Sequence, residues 1–363
     1  LISYASESID VDSGITNFPL KLNFVGDIMM GRRYNCVNAP AEENCNEGII
    51  PDCGAEYIFE YIRPFLSDSN HISVGNLETP IIDSPSSPHP TKSIIFYSSS
   101  ETMPALDYSG LDVLSLANNH TLDYMVEGLT QTQSYLDTFQ IKYFGAGINE
   151  QDAMKATFVN HFGVNISFIG SSNVDGRENN EQPYLDAGYE KPGFYMSSEE
   201  NLVRQLEHVE NVSDYVILST HSGSEYSESP RILNEEDEDY DPFYTRPSRE
   251  NREFRQFAID QGVDMVINHH PHVLQGLELY NGNLIAHSLG NFVFDQRYPE
   301  TWPSIILNTE INNNGFSRHW IKPVYVHNYI PKLATGKLAR RLLDYLAFKS
   351  RELNTILLID YES

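Results

Sequence analysis

The sequence is short of basic residues, cysteine and tryptophan, and it has no long apolar run. Its 363 residues carry 24 Lys and Arg against 51 Asp and Glu, a formal net charge of −27. That balance argues against nucleic acid as a partner, because a phosphate backbone is neutralised by Lys and Arg. It also repels a polyanionic substrate at long range unless the receiving cleft is locally positive. Over most of the surface the acidity reads as a solubility adaptation to a salty or cold environment. Residues 235–241 read as a solvated loop, since the regular spacing and glycine of an EF-hand are missing. No apolar stretch approaches the ~20 residues needed to span a bilayer. Residues 1–19 are a polar stretch that begins at Leu1 without methionine. They read as a linker left by removal of a signal peptide or anchor, although a trimmed chain would look the same.

The cysteines, Cys36, Cys45 and Cys53, fall in one segment, 36–53, rich in Asn, Glu, Gly and Pro. No histidine lies beside them and no C-x-x-C spacing occurs, so a structural zinc site is not indicated. One disulfide with one cysteine left over fits an oxidising, extracytoplasmic compartment, secreted or at the cell surface. The pairing stays open. The segment reads as an insertion ahead of a helix expected over 55–66.

What the chain has is metal-binding residue types at the ends of strand-like runs. Asn268-His269-His270-Pro271-His272 directly follows the apolar run 263–267. Asp27 follows the run 20–25, Glu78 the run 72–74, Asn119 and His120 the run 113–117, and His221 the run 215–218. In open α/β sheets ligands bind at the carboxyl ends of strands, and neutral imidazole is the commonest protein metal ligand. A lone histidine after a strand is usually a core or turn residue; the joint pattern points to a metal centre. Mixed carboxylate, amide and imidazole donors suit Mn, Fe or Zn better than a thiolate site would, so one or two divalent ions are expected.

The ordered motifs resemble a known family. Phe24-Val25-Gly26-Asp27-Ile28-Met29-Met30-Gly31-Arg32 is similar to the opening motif of the bacterial capsule-synthesis CapA (poly-γ-glutamate) family. Gly75-Asn76-Leu77-Glu78-Thr79-Pro80, then 116–124, Gly145-Ala146-Gly147, 221–226, His270-Pro271-His272 and Ser288-Leu289-Gly290-Asn291-Phe292 follow in order. The resemblance covers about residues 20–328. It implies a calcineurin-like metallophosphoesterase fold, a four-layer α/β/β/α sandwich in one domain, and a role in poly-γ-glutamate or capsule metabolism.

By the same resemblance Asp27 is a ligand of a first metal, Glu78 a bridge, and Asn119, His221 and His270 ligands of a second, with His272 returning to the first. A hydroxide activated between the metals is the implied nucleophile. His120 takes the place of a general acid, with Asp123 near enough in sequence to orient it. Arg32, Arg246 and Arg249 are candidate contacts for an anionic small-molecule or polymer substrate. The chain departs from the phosphoesterase pattern at Met29, where a histidine ligand is usual. Asn268 replaces the usual glycine before the histidine run, and His287 stands where the family typically has tyrosine. His269 reads as a supporting or surface residue. The resulting reading is a metal-dependent hydrolase. Two alternatives remain: a non-catalytic or transamidase-like accessory of polymer synthesis or export, working with membrane-associated machinery, and a structural surface protein.

Between the motifs, helical periodicity appears at 129–136, 202–209 and 250–261 and strand patterns at 284–287 and 319–327, the latter two expected to complete the second sheet. An α/β class follows. Residues 329–363, with a stripe of Leu338, Leu342, Tyr345 and Leu346, read as a C-terminal helical extension packed on the body.

Overall fold

Along β1 (Leu20–Ile28) the side chains of Leu20, Leu22 and Phe24 fall on one face and Val25 and Ile28 on the other, and both faces are buried. A strand covered on both sides belongs in the middle of a layered α/β structure. A computed structural model describes residues 20–35, 48–68, 70–161, 163–226, 251–312 and 315–360. In it β1 pairs in parallel with β2 (His71–Leu77), followed by β3 (Val113–Ser115) and β4 (Lys142–Phe144). Its other edge pairs antiparallel with β14 (Pro303–Asn312), which leads to β15 (Gly315–His327) and β16 (Ile330–Leu333). The short β13 (Asn291–Val293) runs parallel to the end of β1.

The second sheet has the order β11 (Leu277–Tyr280), β12 (Asn283–Ala286), β10 (Met265–His269), β9 (Tyr215–His221), β7 (Val164–Ser172) and β6 (Thr157–His161). Its four inner strands, β12, β10, β9 and β7, are parallel. A small ribbon joins β5 (Ala146–Gly147) to β8 (Gly193–Phe194).

Three hydrophobic cores define the layers. Phe24, Val74 and Phe144 of the first sheet meet Phe168, Ile217, Met265 and Ile267 of the second. Outside the first sheet, Val25 and Leu114 pack under Leu106 of α2 (Met103–Ser109) and Leu129 and Leu136 of α3 (Met125–Thr138), with Ile50 of α1 (Ile49–Cys53) beside them. Outside the second, Leu218 and Val266 pack under Leu202 of α5 (Glu199–Val209) and Phe254 and Ala258 of α6 (Asn251–Asp260). The short α4 (Glu150–Ala153) caps the ribbon, its first turn closed by Asn149 Oδ1 accepting from Asp152 N at 2.8 Å. The order is helix, sheet, sheet, helix: the four-layer sandwich the motifs imply.

Several local expectations change. Residues 55–66 form two 3₁₀ turns, Ala55–Ile58 and Arg63–Phe65. Pro64 removes a backbone donor and its ring disfavours the helical conformation of the residue before it, so an α-helix cannot run through. Residues 319–327 lie in β15, which belongs to the first sheet and not the second. The body also continues past residue 328, because β16 is an edge strand of that sheet. Beyond it, α7 (Gly336–Glu352) buries Leu342 and Leu346 at the end of the inter-sheet core, while Leu338 is exposed. Among the described residues no helix is long and apolar enough to cross a membrane.

Candidate metal centre

The carboxyl ends of the parallel strands of both sheets meet at one edge. Asp27 is the penultimate residue of β1, Glu78 follows β2, Asn119 lies in the loop after β3, His221 ends β9 and His270 follows β10. The close crossing of β1 past the loop before β13 requires glycine: a Cβ on Gly26 would sit 1.8 Å from the carbonyl oxygen of Gly290. That approach lets Asp27 N donate to Gly290 O at 3.1 Å and fixes the carboxylate at the strand end. His270 and His272 hold positive φ values of 97° and 58°. For non-glycine residues such backbone costs roughly 1–3 kcal/mol each and is found where a site needs it.

The side chains converge as two groups that share Glu78. Donor atoms of Asp27, Glu78 and His272 lie within 4.8 Å of one another, and so do those of Glu78, His221 and His270. Glu78 Oε1 is 3.6 Å from His221 Nε2 and 3.9 Å from His272 Nε2. His221 Nε2 also faces Asn119 Oδ1 at 2.8 Å and His270 Nδ1 at 3.1 Å. All six sequence-derived ligand candidates are therefore brought together. His269 lies 3.0 Å from Asp27 Oδ1, buried beside the site and outside both groups.

Whether these residues fit a cation is decided by their unsatisfied atoms. Asp27 Oδ2 and both oxygens of Glu78 are buried without a hydrogen-bond partner among the described residues. Buried carboxylate oxygens are normally paired, because stranding them costs several kcal/mol. Burial, and then the charge of Asp27, push the Glu78 carboxyl well above its usual range. Burial alone would raise Asp27 too, but His269 and His272 outweigh it and hold that carboxyl well below its usual range. His221 and His270 are driven down by burial and by neighbouring imidazoles, His270 to about 3. His221 and His270 are thus neutral at pH 7, the state in which imidazole ligates. Two acids with stranded oxygens among neutral imidazoles fit one or two divalent cations.

His120 stands beside this centre. Its Nδ1 lies 2.6 Å from Asp123 Oδ2, which leaves Nε2 as the open nitrogen. Phe96 stacks on the ring at 3.8 Å between centroids. Burial lowers His120 to about 4, Asp123 pulling the other way without prevailing. Lys92, which no sequence signal singles out, donates to Asp123 Oδ1 and to the carbonyl of Asn119 at 2.5 Å. Asn76 and Asn118, present in the quoted motifs but given no role, brace the ligands: Asn76 Nδ2 donates to Asp27 Oδ1 at 2.8 Å, and Asn76 Oδ1 accepts from Asn118 Nδ2 at 3.1 Å. His272 Nδ1 is held by Asn291 Oδ1 at 2.9 Å.

A cleft of about 780 Å³ opens over the centre, lined by Arg32, Arg33, Lys92 and Arg297 against Glu178, Glu181 and Glu225. Arg32 and Arg33 both bond the buried Asp295, Arg32 through Nε at 3.1 Å and through Nη2, so among the described residues two guanidinium groups share one carboxylate. Arg246 and Arg249 lie outside the described residues, as do Cys36, Cys45 and the acidic run 235–241. Cys53 is an exposed free thiol. Met29 does not replace the missing histidine: it is buried against Phe96 and Phe294, and its sulfur accepts from Gly31 N at 3.1 Å.

Comparison with known proteins identifies relatives of the chain. A family described as bacterial capsule synthesis protein PGA_cap matches residues 21–236 and 241–296. A PGA biosynthesis protein CapA of Bacillus subtilis is 30% identical over 313 residues, 86% of this chain and 73% of the relative. A capsule biosynthesis protein CapA of Bacillus anthracis is 29% identical over 330 residues, 89% and 71% of the two chains. A probable polyglutamine synthesis accessory protein of Mycobacterium tuberculosis is 26% identical over 202 residues, 54% of this chain and 48% of the relative.

Proposed function

Because the chain belongs to the bacterial capsule synthesis family PGA_cap, we propose that it is a metal-dependent hydrolase acting on an anionic substrate in poly-γ-glutamate or capsule metabolism at the cell surface. One observation carries the reading: Glu78 is buried between two groups of candidate donors with neither oxygen satisfied. Asp27, Glu78 and His272 would hold one ion, and Glu78, His221, His270 and Asn119 the other. Mn, Fe and Zn match that donor set. When bound, such ions supply Lewis acidity to the scissile group and make water a better nucleophile near neutral pH.

The chain's own residues account for binding and proton handling. Arg32 and Arg33, sharing one carboxylate, leave a positive charge at the wall of the cleft that favours an anionic group. Asp123 and Lys92 fix the ring of His120 so that Nε2 is available to the leaving group. His120 rests neutral, so it serves as a general acid only once charged. An anionic substrate beside it shifts the imidazole in that direction.

A second reading, a polymer-binding accessory without turnover, draws on Met29. With its sulfur engaged by Gly31, the Asp27 group offers three candidate protein donors, Asp27, Glu78 and His272, and no histidine from the first motif. Elemental analysis of protein purified without chelator, followed by assays on phosphomonoesters, phosphodiesters and γ-glutamyl polymer, separates the readings. Bound metal with turnover supports the hydrolase. Bound metal and polymer binding without turnover supports the accessory. Protein that takes up no ion after soaking in Mn, Fe and Zn overturns both metal assignments.

A further inference from the structure

Arg255 of α6 is among the largest fully buried side chains, and among the described residues its guanidinium meets no carboxylate directly. Nη1 donates to His287 Nδ1 at 2.7 Å, and His287 Nε2 donates in turn to Glu278 Oε2 at 2.9 Å. Nη2 donates to Ser222 Oγ at 2.8 Å. A buried cation reached by its counter-charge only through a neutral ring costs more stability than an apolar side chain of similar size would. Its placement therefore asks for another explanation.

The partners supply it. Ser222 directly follows His221, and its hydroxyl donates to Asn268 Oδ1 at 2.7 Å. Asn268, two residues before His270, also accepts from Thr220 Oγ1 at 2.8 Å and donates to Ser222 O at 3.0 Å and His287 O at 2.8 Å. Asn268 and His287 are two of the positions where the sequence departs from the family's usual residues, and they belong to this one network. The network ties the end of β9 to the end of β10 and to the segment after β12, directly behind the imidazoles of His221 and His270.

We propose that Arg255 is a positioning residue for the Glu78–His221–His270 group, acting through Ser222 and Asn268 to hold the two imidazoles on a common point. The proposal rests on the metal-centre reading above. Residues behind metal ligands are worth about 10- to 100-fold in metal affinity.

The test is calorimetric titration of chelator-stripped full-length protein with Mn²⁺ and Zn²⁺, with the metal-free melting temperature recorded in parallel. An Asp27→Ala background isolates the His221–His270 group, and a His270→Ala background isolates the Asp27 group. Arg255→Met should weaken the ion in the first background by about 10- to 100-fold and leave the second near its unsubstituted affinity, and Arg255→Lys should restore part of the loss. Ser222→Ala, which removes only the linking hydroxyl, should shift the same ion in the same direction by less, and it carries the test if Arg255→Met does not fold. Equal losses in both backgrounds, or none in either, overturn the proposal and leave the metal centre standing. An unsubstituted protein that binds no ion overturns the metal-centre reading and this inference with it.

Discussion

Oε1 of Glu78 lies 3.6 Å from Nε2 of His221, and both side chains are buried. A buried carboxyl group with neither oxygen hydrogen-bonded, set among imidazole and amide donors, is explained by a cation in the gap. Glu78→Gln should therefore act in opposite directions with and without metal. In stripped protein it removes a buried carboxyl whose ionised form burial and then Asp27 oppose, and the melting temperature should rise. In the presence of Mn²⁺ or Zn²⁺ the unsubstituted protein should gain about 2.7 kcal/mol at a hundredfold excess over Kd, and Glu78→Gln should gain nothing. Thermal melts with and without chelator check both arms, and a metal-dependent gain that survives in Glu78→Gln defeats the bridging assignment.

His120 separates a hydrolase from a binding module. Its contact with Asp123 at 2.6 Å leaves Nε2 open, and neither metal group needs its ring. General acid catalysis by a positioned side chain contributes roughly 10²–10⁴ in rate. His120→Ala should lose about that factor on an alkyl ester while retaining metal, and much less on a p-nitrophenyl ester, whose leaving group needs little protonation. Asp27→Ala and His272→Ala should lose the ion of the Asp27–Glu78–His272 group, and activity with it. If His120→Ala sheds metal as readily as they do, the ring is a ligand and not a proton donor.

The strand ends were legible because each is announced by an apolar run and the chemistry hangs directly after it. Asp27, Glu78, Asn119, His221, His270 and His272 all follow that rule. Sheet membership was not, since nothing local tells residues 319–327 which sheet will accept them; β15 joins the first through pairing with β14. Lys92 is a single lysine in an irregular loop, with no periodicity to mark it. Arg255 sits beside Phe254 on an amphipathic helix, where an arginine ordinarily reads as the solvent side. Its burial depends on Ser222, Asn268 and His287, which arrive from other strands. Asp295 likewise becomes visible as the partner of Arg32 only once the loop after β13 folds back on β1. The anion-binding reading of Arg32 is thereby narrowed to the charge it shares with Arg33.

Cys53 is exposed and unpaired. If the segment 36–53 carries one bridge, as the cysteine clustering suggests, it joins Cys36 to Cys45. Maleimide labelling of native, unreduced protein should then add one label, at Cys53, and mass spectrometry should find the other two cysteines linked. Three labels on freshly secreted material would remove the argument for an oxidising compartment.

The Arg255–His287–Glu278 chain predicts a definite acid lability. Burial and then Arg255 lower His287 from the usual 6.5 to about 4, its bond to Glu278 opposing them without prevailing. Burial alone would raise Glu278, but hydrogen bonds from His287 and Arg252 outweigh it and take the carboxyl from 4.5 to about 2. In both windows the unfolded chain holds more protons than the folded one, so stability falls as pH falls. Protonation of His287 acts between pH 6.5 and about 4, and that of Glu278 between 4.5 and about 2. Glu278→Gln removes the carboxylate that Arg252 grips at 2.7–3.1 Å, and at pH 7 it should cost about 3–5 kcal/mol, the usual result of breaking a buried ion pair from one side. Below pH 4.5 the gap between the substituted and unsubstituted proteins should narrow progressively, closing only near pH 2, because the unfolded chain takes up the Glu278 proton first and the folded one does so only at about 2. Urea midpoints of chelator-stripped protein measured from pH 3 to pH 8 give the comparison. A gap between the two that stays constant down to pH 3 would mean that Glu278 stabilises the fold by packing and not by its charge.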